Sequence, residues 1–305
     1  MRAVIDIGTN SVRLLVAEIL PDRVKPLVKE VRVTRLGQGV DENGLLLQEA
    51  MERTLDALQD LTALVPQGVP ISILATSAVR DARNRDEFAV LVKETVGVDL
   101  QVLSGSQEAE LSFRGAAFAL RGMDMADPIA VVDIGGGSTE VYTGTKQGQL
   151  LGGSSAQMGA VRLLERCGGV RLPDSEEMAS ALGLAAKESL KHEPKTLVAV
   201  GGTASSLAAI IQDLQVYSDA KVDGFSFSRE ELEECYGKLG RLTVEERRQI
   251  PSLQAGREDV IVYGAAILLE VMRLMGFSRL TVSVGDLLYG SLLMTDEQQL
   301  TMGFK

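Results

Sequence analysis

Two short stretches repeat one order of residue types suited to phosphate binding: Val4-Ile5-Asp6-Ile7-Gly8-Thr9-Asn10-Ser11 and Val131-Val132-Asp133-Ile134-Gly135-Gly136-Gly137-Ser138. Each runs β-branched residues into an Asp, then Gly and hydroxyl residues, then a second apolar segment. That pattern reads as a strand, a tight turn and a returning strand. Glycine lets the backbone come close to a ligand, so successive N–H groups in the turn can converge on an anion. The flanking carboxylate repels that anion unless a cation sits between them. A third loop, Gly201-Gly202-Thr203, follows the apolar run Leu197-Val198-Ala199-Val200 and leads into the apolar helix that begins around Ala204. A strand handing over to a helix N-terminus is a ready anion site. Taken alone, Gly-Gly-Thr reads equally well as a close packing turn; three glycine loops ending three apolar strands favour phosphate. The candidate phosphate-binding residues are Gly8, Thr9, Asn10 and Ser11; Gly135, Gly136, Gly137, Ser138 and Thr139; and Gly201, Gly202 and Thr203.

The elements that must hold these loops follow from periodicity. Arg2–Ile7, Val12–Ile19 and Val28–Leu36 predict an antiparallel meander. A helix at 46–64 carries Leu47, Met51, Leu55 and Leu58 at helical spacing. Strand 71–75, a helix from about Asp86 to Thr95, strand 100–103 and helix 106–120 complete a first half. The second half repeats the opening: strands 129–134, 140–144 and 149–154, helices near 160–166 and 176–191, strand 196–200 and the helix from Ala204. Capping boxes start helices at Ser228 with Glu231 and at Thr243 with Glu246. A long apolar helix at 256–275 and strand 279–284 close the chain. The order implies two duplicated α/β lobes, residues 1–122 and 123–305, with the glycine loops facing each other across an interdomain cleft. The last helix is allowed to pack back on the first lobe, and the unpatterned loop 121–128 is the expected boundary and hinge.

Composition narrows the function classes. At 305 residues two domains are the default. The longest uncharged apolar stretch near the end, Val260–Leu269, is too short to span a bilayer, so no membrane anchor is expected. The start of the chain goes directly into a strand carrying Asp6, which a secretory segment does not tolerate, so a cytoplasmic location is expected. Cys167, Cys235 and the one histidine, His192, lack metal or triad spacing and read as structural. A net charge of −11 argues against nucleic acid as a partner. The run Glu230-Glu231-Leu232-Glu233-Glu234 reads as a solvated helix face.

The motifs together resemble the exopolyphosphatase / guanosine pentaphosphate phosphohydrolase family. They are Asp6-Ile-Gly-Thr-Asn-Ser, Ala75-Thr76-Ser77-Ala78-Val79-Arg80-Asp81, Leu103-Ser104-Gly105-Ser106-Gln107-Glu108-Ala109-Glu110-Leu111, Asp133-Ile-Gly-Gly-Gly-Ser-Thr-Glu140 and Gly201-Gly202-Thr203. The resemblance covers nearly the whole chain. It implies α/β lobes of ribonuclease-H-like type, as in the actin/Hsp70/sugar-kinase superfamily. It also implies Mg²⁺, and removal of terminal phosphate from inorganic polyphosphate or from the 5′ end of guanosine pentaphosphate. The family's catalytic base, a Glu three residues after Ser-Gly and before Ala, falls on Glu108.

Elementary chemistry agrees with these roles. Phosphoanhydride hydrolysis needs a positioned water, a proton acceptor and positive charge around the transferred phosphoryl oxygens. Glu108 lies near the start of a helix after a strand, whereas Glu110 reads as a carboxylate stabilised by the helix dipole. Asp133 and Glu140 flank the second loop and are candidate Mg²⁺ ligands, with Asp6 doing the same from the first lobe. Asp133 has a turn-capping alternative. Arg80 is a candidate bidentate phosphate ligand with a catalytic role. Arg83, Arg85 and Arg257 divide evenly between surface and functional readings.

Two departures bear on substrate. Family members commonly have Gly-x-Leu-Arg-Glu-Gly near the C-terminus, where this chain reads Gly285-Asp286-Leu287-Leu288-Tyr289-Gly290. Many carry His-Gly where this chain has Asp223-Gly224. The chain stops at Lys305, short of the helical extension of long members. With no Trp and no aromatic cluster falling near the glycine loops, short polyphosphate is expected to be preferred over guanosine pentaphosphate. An ATP-dependent kinase of the same superfamily and a non-catalytic polyphosphate or nucleotide sensor remain rival classes. Oligomeric state, a homodimer included, is left open.

Overall fold

Residues Ala3–Ile7 are buried without interruption, which a strand achieves only in the middle of a covered sheet. The computed structural model describes residues 1–169 and 173–294. It places that run as β1 (Arg2–Ile7), with β2 (Ser11–Ile19), β3 (Val24–Val33), β4 (Ile71–Ala75) and β5 (Leu100–Val102) in the order β3-β2-β1-β4-β5. β1 is antiparallel to β2 and parallel to β4.

The second sheet contains β6 (Ile129–Ile134), β7 (Thr139–Gly144), β8 (Leu150–Ala156), β9 (Thr196–Val200), β10 (Ser226–Ser228) and β11 (Arg279–Val282), ordered β10-β11-β9-β6-β7-β8. Read from β8, it repeats the first sheet strand for strand, with β10 added antiparallel at the far edge. β6 pairs antiparallel with β7 and parallel with β9, as β1 does with β2 and β4. The duplicated, ribonuclease-H-like α/β arrangement expected from the sequence is therefore present.

The chain divides into two compact units. The first comprises Met1–Leu111 with the segment from Leu287 to the last described residue, Met294; the second comprises Ser112–Asp286. The division falls inside the helix Gly105–Ala119, earlier than the 121–128 loop, and the expected end of the second lobe at 305 lies outside the described residues. Local packing explains the shift. Past Ser112 the helix is built into the second unit: the Phe113 ring lies against Gly144, and a Cβ on Gly115 would sit 2.1 Å from the Asp286 carbonyl oxygen. In the first unit the last helix among the described residues, Leu287–Leu292, packs on β1.

Each unit has its own core. In the first, Ile5, Ile7, Leu14 and Ile73 of the sheet meet Met51, Leu58 and Leu61 from the helix Gln48–Ala63 and Phe88 and Val92 from the helix Arg85–Val96. In the second, Val132, Leu197 and Val282 meet Leu182 of Ser175–Leu190, Leu207 of Gly201–Ile211, Leu232 of Arg229–Arg241 and Ile267 of Ile261–Met275.

Several boundaries differ from expectation for local reasons. β3 begins at Val24, where the turn closed by Leu20 N–H to Arg23 O ends, and it tolerates Pro26 because it is an edge strand. Leu47 is an exposed N-cap position rather than a core residue of its helix. The long apolar helix starts at Ile261, after Gly256 takes φ +80°. The third glycine loop is the first turn of a helix that begins at Gly201. Arg80 stands on a short helix, Ser77–Asp81, that the sequence pattern does not reveal.

Candidate active site

The two aspartate-glycine loops close in the same way. Gly8 N–H donates to Ser11 O at 3.0 Å, and Gly135 N–H donates to Ser138 O at 3.0 Å. In both, a neighbouring segment takes the loop carbonyls. Thr9 O accepts from Gly37 N–H at 2.9 Å, and Asn10 O from Thr34 and Arg35 N–H at 3.2 and 2.9 Å. Gly135 O accepts from Ala160 N–H at 2.9 Å, Gly136 O from Val161 and Arg162 N–H at 2.9 and 3.0 Å, and Gly137 O from Arg162 Nε at 2.8 Å. Across a trans peptide the C=O and the following N–H point to opposite sides. With the carbonyls drawn one way, the amides of Asn10, Ser11, Gly136, Gly137 and Ser138 turn the other way, as an anion-binding nest requires. These anchors depend on glycines that the motifs do not contain. A Cβ on Gly159 would lie 2.4 Å from the carbonyl of Gly136, and one on Gly37 would lie 2.2 Å from Thr9 Cγ2.

The carboxylates beside the loops differ between the copies. Asp6 is the register partner of Arg13, and Asp133 is the register partner of Glu140. Directly opposed residues on antiparallel strands share a face with Cβ atoms about 4.5–5.5 Å apart. Asp6 is accordingly paired to Arg13, its Oδ2 accepting from Nη2 at 2.6 Å and from Nε at 3.0 Å. Asp133 instead faces a second carboxylate. Its Oδ2 accepts from Ser112 Oγ at 2.7 Å, and Glu140 Oε1 accepts from Ser155 Oγ at 2.6 Å. Glu140 is 2% exposed. Two hard oxygen donors on one sheet face, each oriented by a serine, suit a magnesium-type ion, which takes one or two carboxylates and fills its sphere with water and phosphate oxygens. Among the described residues no cluster of three or more His, Cys, Asp or Glu side chains offers a fuller cage. The sequence motifs carry Arg13 in plain view, seven residues after Asp6, at the place where the second copy has Glu140.

Glu108 is positioned by a capping box that went unread in the sequence. Ser104 N–H donates to Gln107 Oε1 at 2.8 Å, and Gln107 N–H donates to Ser104 Oγ at 3.2 Å, which fixes the first turn of the helix Gly105–Ala119. Glu108 follows at 8% exposure. Arg80 Nη1 donates to Glu108 Oε2 at 2.8 Å and to Leu103 O at 2.9 Å. Arg80 Nη2 is buried and has no hydrogen-bond partner among the described residues. A buried guanidinium N–H in that state is costly and suits an incoming anionic oxygen.

The remaining candidates divide. Ser138 Oγ is buried with no partner among the described residues, whereas the Thr139 hydroxyl donates to Met158 O at 2.5 Å and serves the fold. Thr203 Oγ1 donates to Ile134 O at 3.4 Å and its methyl packs on Gly264. The Arg257 guanidinium lies over Gly202, with Nε donating to Gln254 Oε1 at 3.1 Å. Tyr217 donates to Asp219 Oδ1 at 2.8 Å, and burial, followed by the Asp219 charge, pushes its phenol well above its usual range while Ser205 and Arg257 pull the other way. A single aromatic ring therefore stands beside the helix Gly201–Ile211 that the third loop opens, not an aromatic cluster. Arg83 donates to Asn43 O at 2.8 Å, tying it to the end of the short helix Val40–Asn43, and His192 packs its ring on Gly152. Asp223 Oδ1 accepts from Val284 N–H at 2.9 Å.

Comparison with known proteins agrees with this geometry. The description of the Ppx/GppA phosphatase family matches residues 15–297. Exopolyphosphatase 2 of Mycobacterium tuberculosis is 36% identical over 310 residues, covering 94% of this chain and 96% of the relative. The crystal structure of an exopolyphosphatase from Cytophaga hutchinsonii is similar at a TM-score of 0.85 and 29% identity, covering 99% of this chain and 98% of that one. An Aquifex aeolicus member of the Ppx/GppA family is similar at a TM-score of 0.77 and 29% identity, covering 95% of each chain. With a match across most of its length and the paired glycine loops in place, the chain belongs to the Ppx/GppA phosphatase family.

Proposed function

We propose that this protein is a Mg²⁺-dependent exopolyphosphatase that releases terminal orthophosphate from inorganic polyphosphate. The observation that carries the reading is the Arg80–Glu108 pair, which joins a proton-accepting carboxylate to a buried guanidinium with donor capacity to spare. Water attacks the terminal phosphorus, the bridging P–O bond breaks, and Glu108 takes the water's proton. The products are orthophosphate and a chain shorter by one phosphate. Arg80 orients Glu108 and holds a terminal phosphate oxygen. Within each unit, the loop amides turned away from the anchored carbonyls suit phosphate oxygens. Asp133 and Glu140 would hold the Mg²⁺, which supplies positive charge to phosphate oxygens when bound. Asp6, matched by Arg13, is assigned no metal.

Incubation with polyphosphate and Mg²⁺, without any phosphate acceptor, tests this. Orthophosphate release with a ladder of products shortened singly is expected. Phosphate transfer that requires an acceptor supports a kinase, and binding without turnover supports a sensor.

A second reading, guanosine pentaphosphate 5′-phosphohydrolase, is favoured by Tyr217 and Arg257, two flat groups beside the helix Gly201–Ile211 that suit a nucleobase. Parallel turnover on both substrates separates the readings. A preference of tenfold or more for guanosine pentaphosphate, about 1.4 kcal/mol of transition-state binding, reverses the order.

A further inference from the structure

Asp133 is clamped from two directions by groups outside its own motif. Ser112, on the helix Gly105–Ala119 and 2% exposed, donates from Oγ to Asp133 Oδ2 at 2.7 Å. On the other oxygen, a Cβ at Gly201 would stand 2.7 Å from Asp133 Oδ1. Gly201 takes φ +80° as its helix begins, so a bare α-carbon is what leaves room for that oxygen.

An aspartate on a strand has a broad χ2 well and turns freely unless something holds it. Here one oxygen is fixed by a hydroxyl and the other is confined by backbone. We propose that Ser112 is a positioning residue for the metal carboxylate: its hydroxyl sets the plane of the Asp133 carboxylate, and so sets the affinity of the divalent cation. This rests on the assignment of the metal to Asp133. The matching contact at Glu140, Ser155 Oγ to Oε1, comes from the register partner on the neighbouring strand β8, so strand pairing itself fixes it. Ser112 comes from a helix that no part of the glycine motif specifies.

Outer-shell partners of this kind change metal affinity by roughly 10–100-fold when removed. In Ser112→Ala the Mg²⁺ concentration for half-maximal polyphosphate hydrolysis is expected to rise within that range, while kcat at saturating Mg²⁺ stays within about threefold. Mn²⁺ binding, followed by electron paramagnetic resonance with a nonhydrolysable polyphosphate present and no turnover, should weaken in parallel. Ser112→Thr keeps the hydroxyl and should restore both values to within about twofold. Ser112→Cys, nearly isosteric with a weak donor, serves where the alanine variant loses its fold, and should show the same weakening.

Asp133→Asn separates the two levels of the argument. If it leaves Mg²⁺ and Mn²⁺ dependence unchanged, the metal lies elsewhere and the assignment to Asp133 fails. If it weakens both while folded Ser112→Ala or Ser112→Cys keeps normal metal dependence, Ser112 is only a packing residue and this inference is overturned.

Discussion

Arg80 Nη1 reaches two acceptors at once, Glu108 Oε2 at 2.8 Å and Leu103 O at 2.9 Å, so one nitrogen ties a short helix to the end of β5 and to the candidate base. Lysine has the charge but lacks a second nitrogen like Nη2, which the planar guanidinium keeps for a phosphate oxygen while Nη1 makes these contacts. Arg80→Lys is expected to lower kcat/KM by about 10–150-fold, the equivalent of losing one charge-assisted hydrogen bond of roughly 1.5–3 kcal/mol. Steady-state kinetics on polyphosphate with circular dichroism as a fold check would measure it; a change under threefold would remove Arg80 from the site.

The contrast between Asp6–Arg13 and Asp133–Glu140 predicts a split in metal dependence. Asp133→Asn and Glu140→Gln should each raise the Mg²⁺ concentration needed for half-maximal activity. Asp6→Asn should leave that concentration unchanged and instead cost about 1.5–3 kcal/mol of stability, because Arg13 loses the partner it now holds through two nitrogens. Mg²⁺ titrations and urea unfolding of the three variants provide the comparison. A raised Mg²⁺ requirement in Asp6→Asn would return Asp6 to the metal site.

The strands and the glycine loops were legible because buried β-branched runs and Asp-Gly punctuation are local signals, as in Ala3–Ile7 and Ile129–Ile134. The chemical difference between the copies was partly legible too, since Arg13 and Glu140 stand at the same spacing from their aspartates. What was missed acts across the chain. Gly37 and Gly159 matter through backbone approach to loops far away in sequence, and nothing around them marks that approach. Ser112 reaches Asp133 through a helix-to-strand contact that periodicity cannot show. A loop such as 121–128 looks like a boundary in sequence, whereas the two compact units divide inside the helix Gly105–Ala119, where no local signal marks the change.

Gly201 should not tolerate a side chain. Alanine there would adopt φ +80° and push on Asp133 Oδ1 from 2.7 Å. Gly97, at φ +73° with nothing within 4 Å, isolates the backbone cost, about 1–2 kcal/mol. Gly97→Ala is expected to lose stability with full activity, and Gly201→Ala to lose activity at saturating substrate as well. Equal activity in the two variants would mean that Asp133 moves without consequence.

Burial pushes the Cys235 thiol up to about 11 from 9.0, against a smaller opposing pull from Lys238. The unfolded thiol therefore loses its proton first, and stability falls as pH rises from 9.0 toward 11. At pH ~10, one unit above the ordinary value, the loss is about 1.4 kcal/mol. Unfolding free energies from urea titrations at pH ~8 and ~10 should differ by about 1.4 kcal/mol less in Cys235→Ala than in the parent. An identical drop in both would show that Cys235 does not titrate in this window.

The central claim is that Glu108 accepts the proton of the attacking water. The most direct measurement is orthophosphate release from polyphosphate by Glu108→Gln, with binding of a nonhydrolysable polyphosphate and thermal unfolding measured on the same preparation. The account predicts a fall in turnover of about 10²–10⁴ with binding and folding retained, and near-normal turnover in Glu110→Gln. Turnover within a few-fold of the parent in folded Glu108→Gln would contradict it.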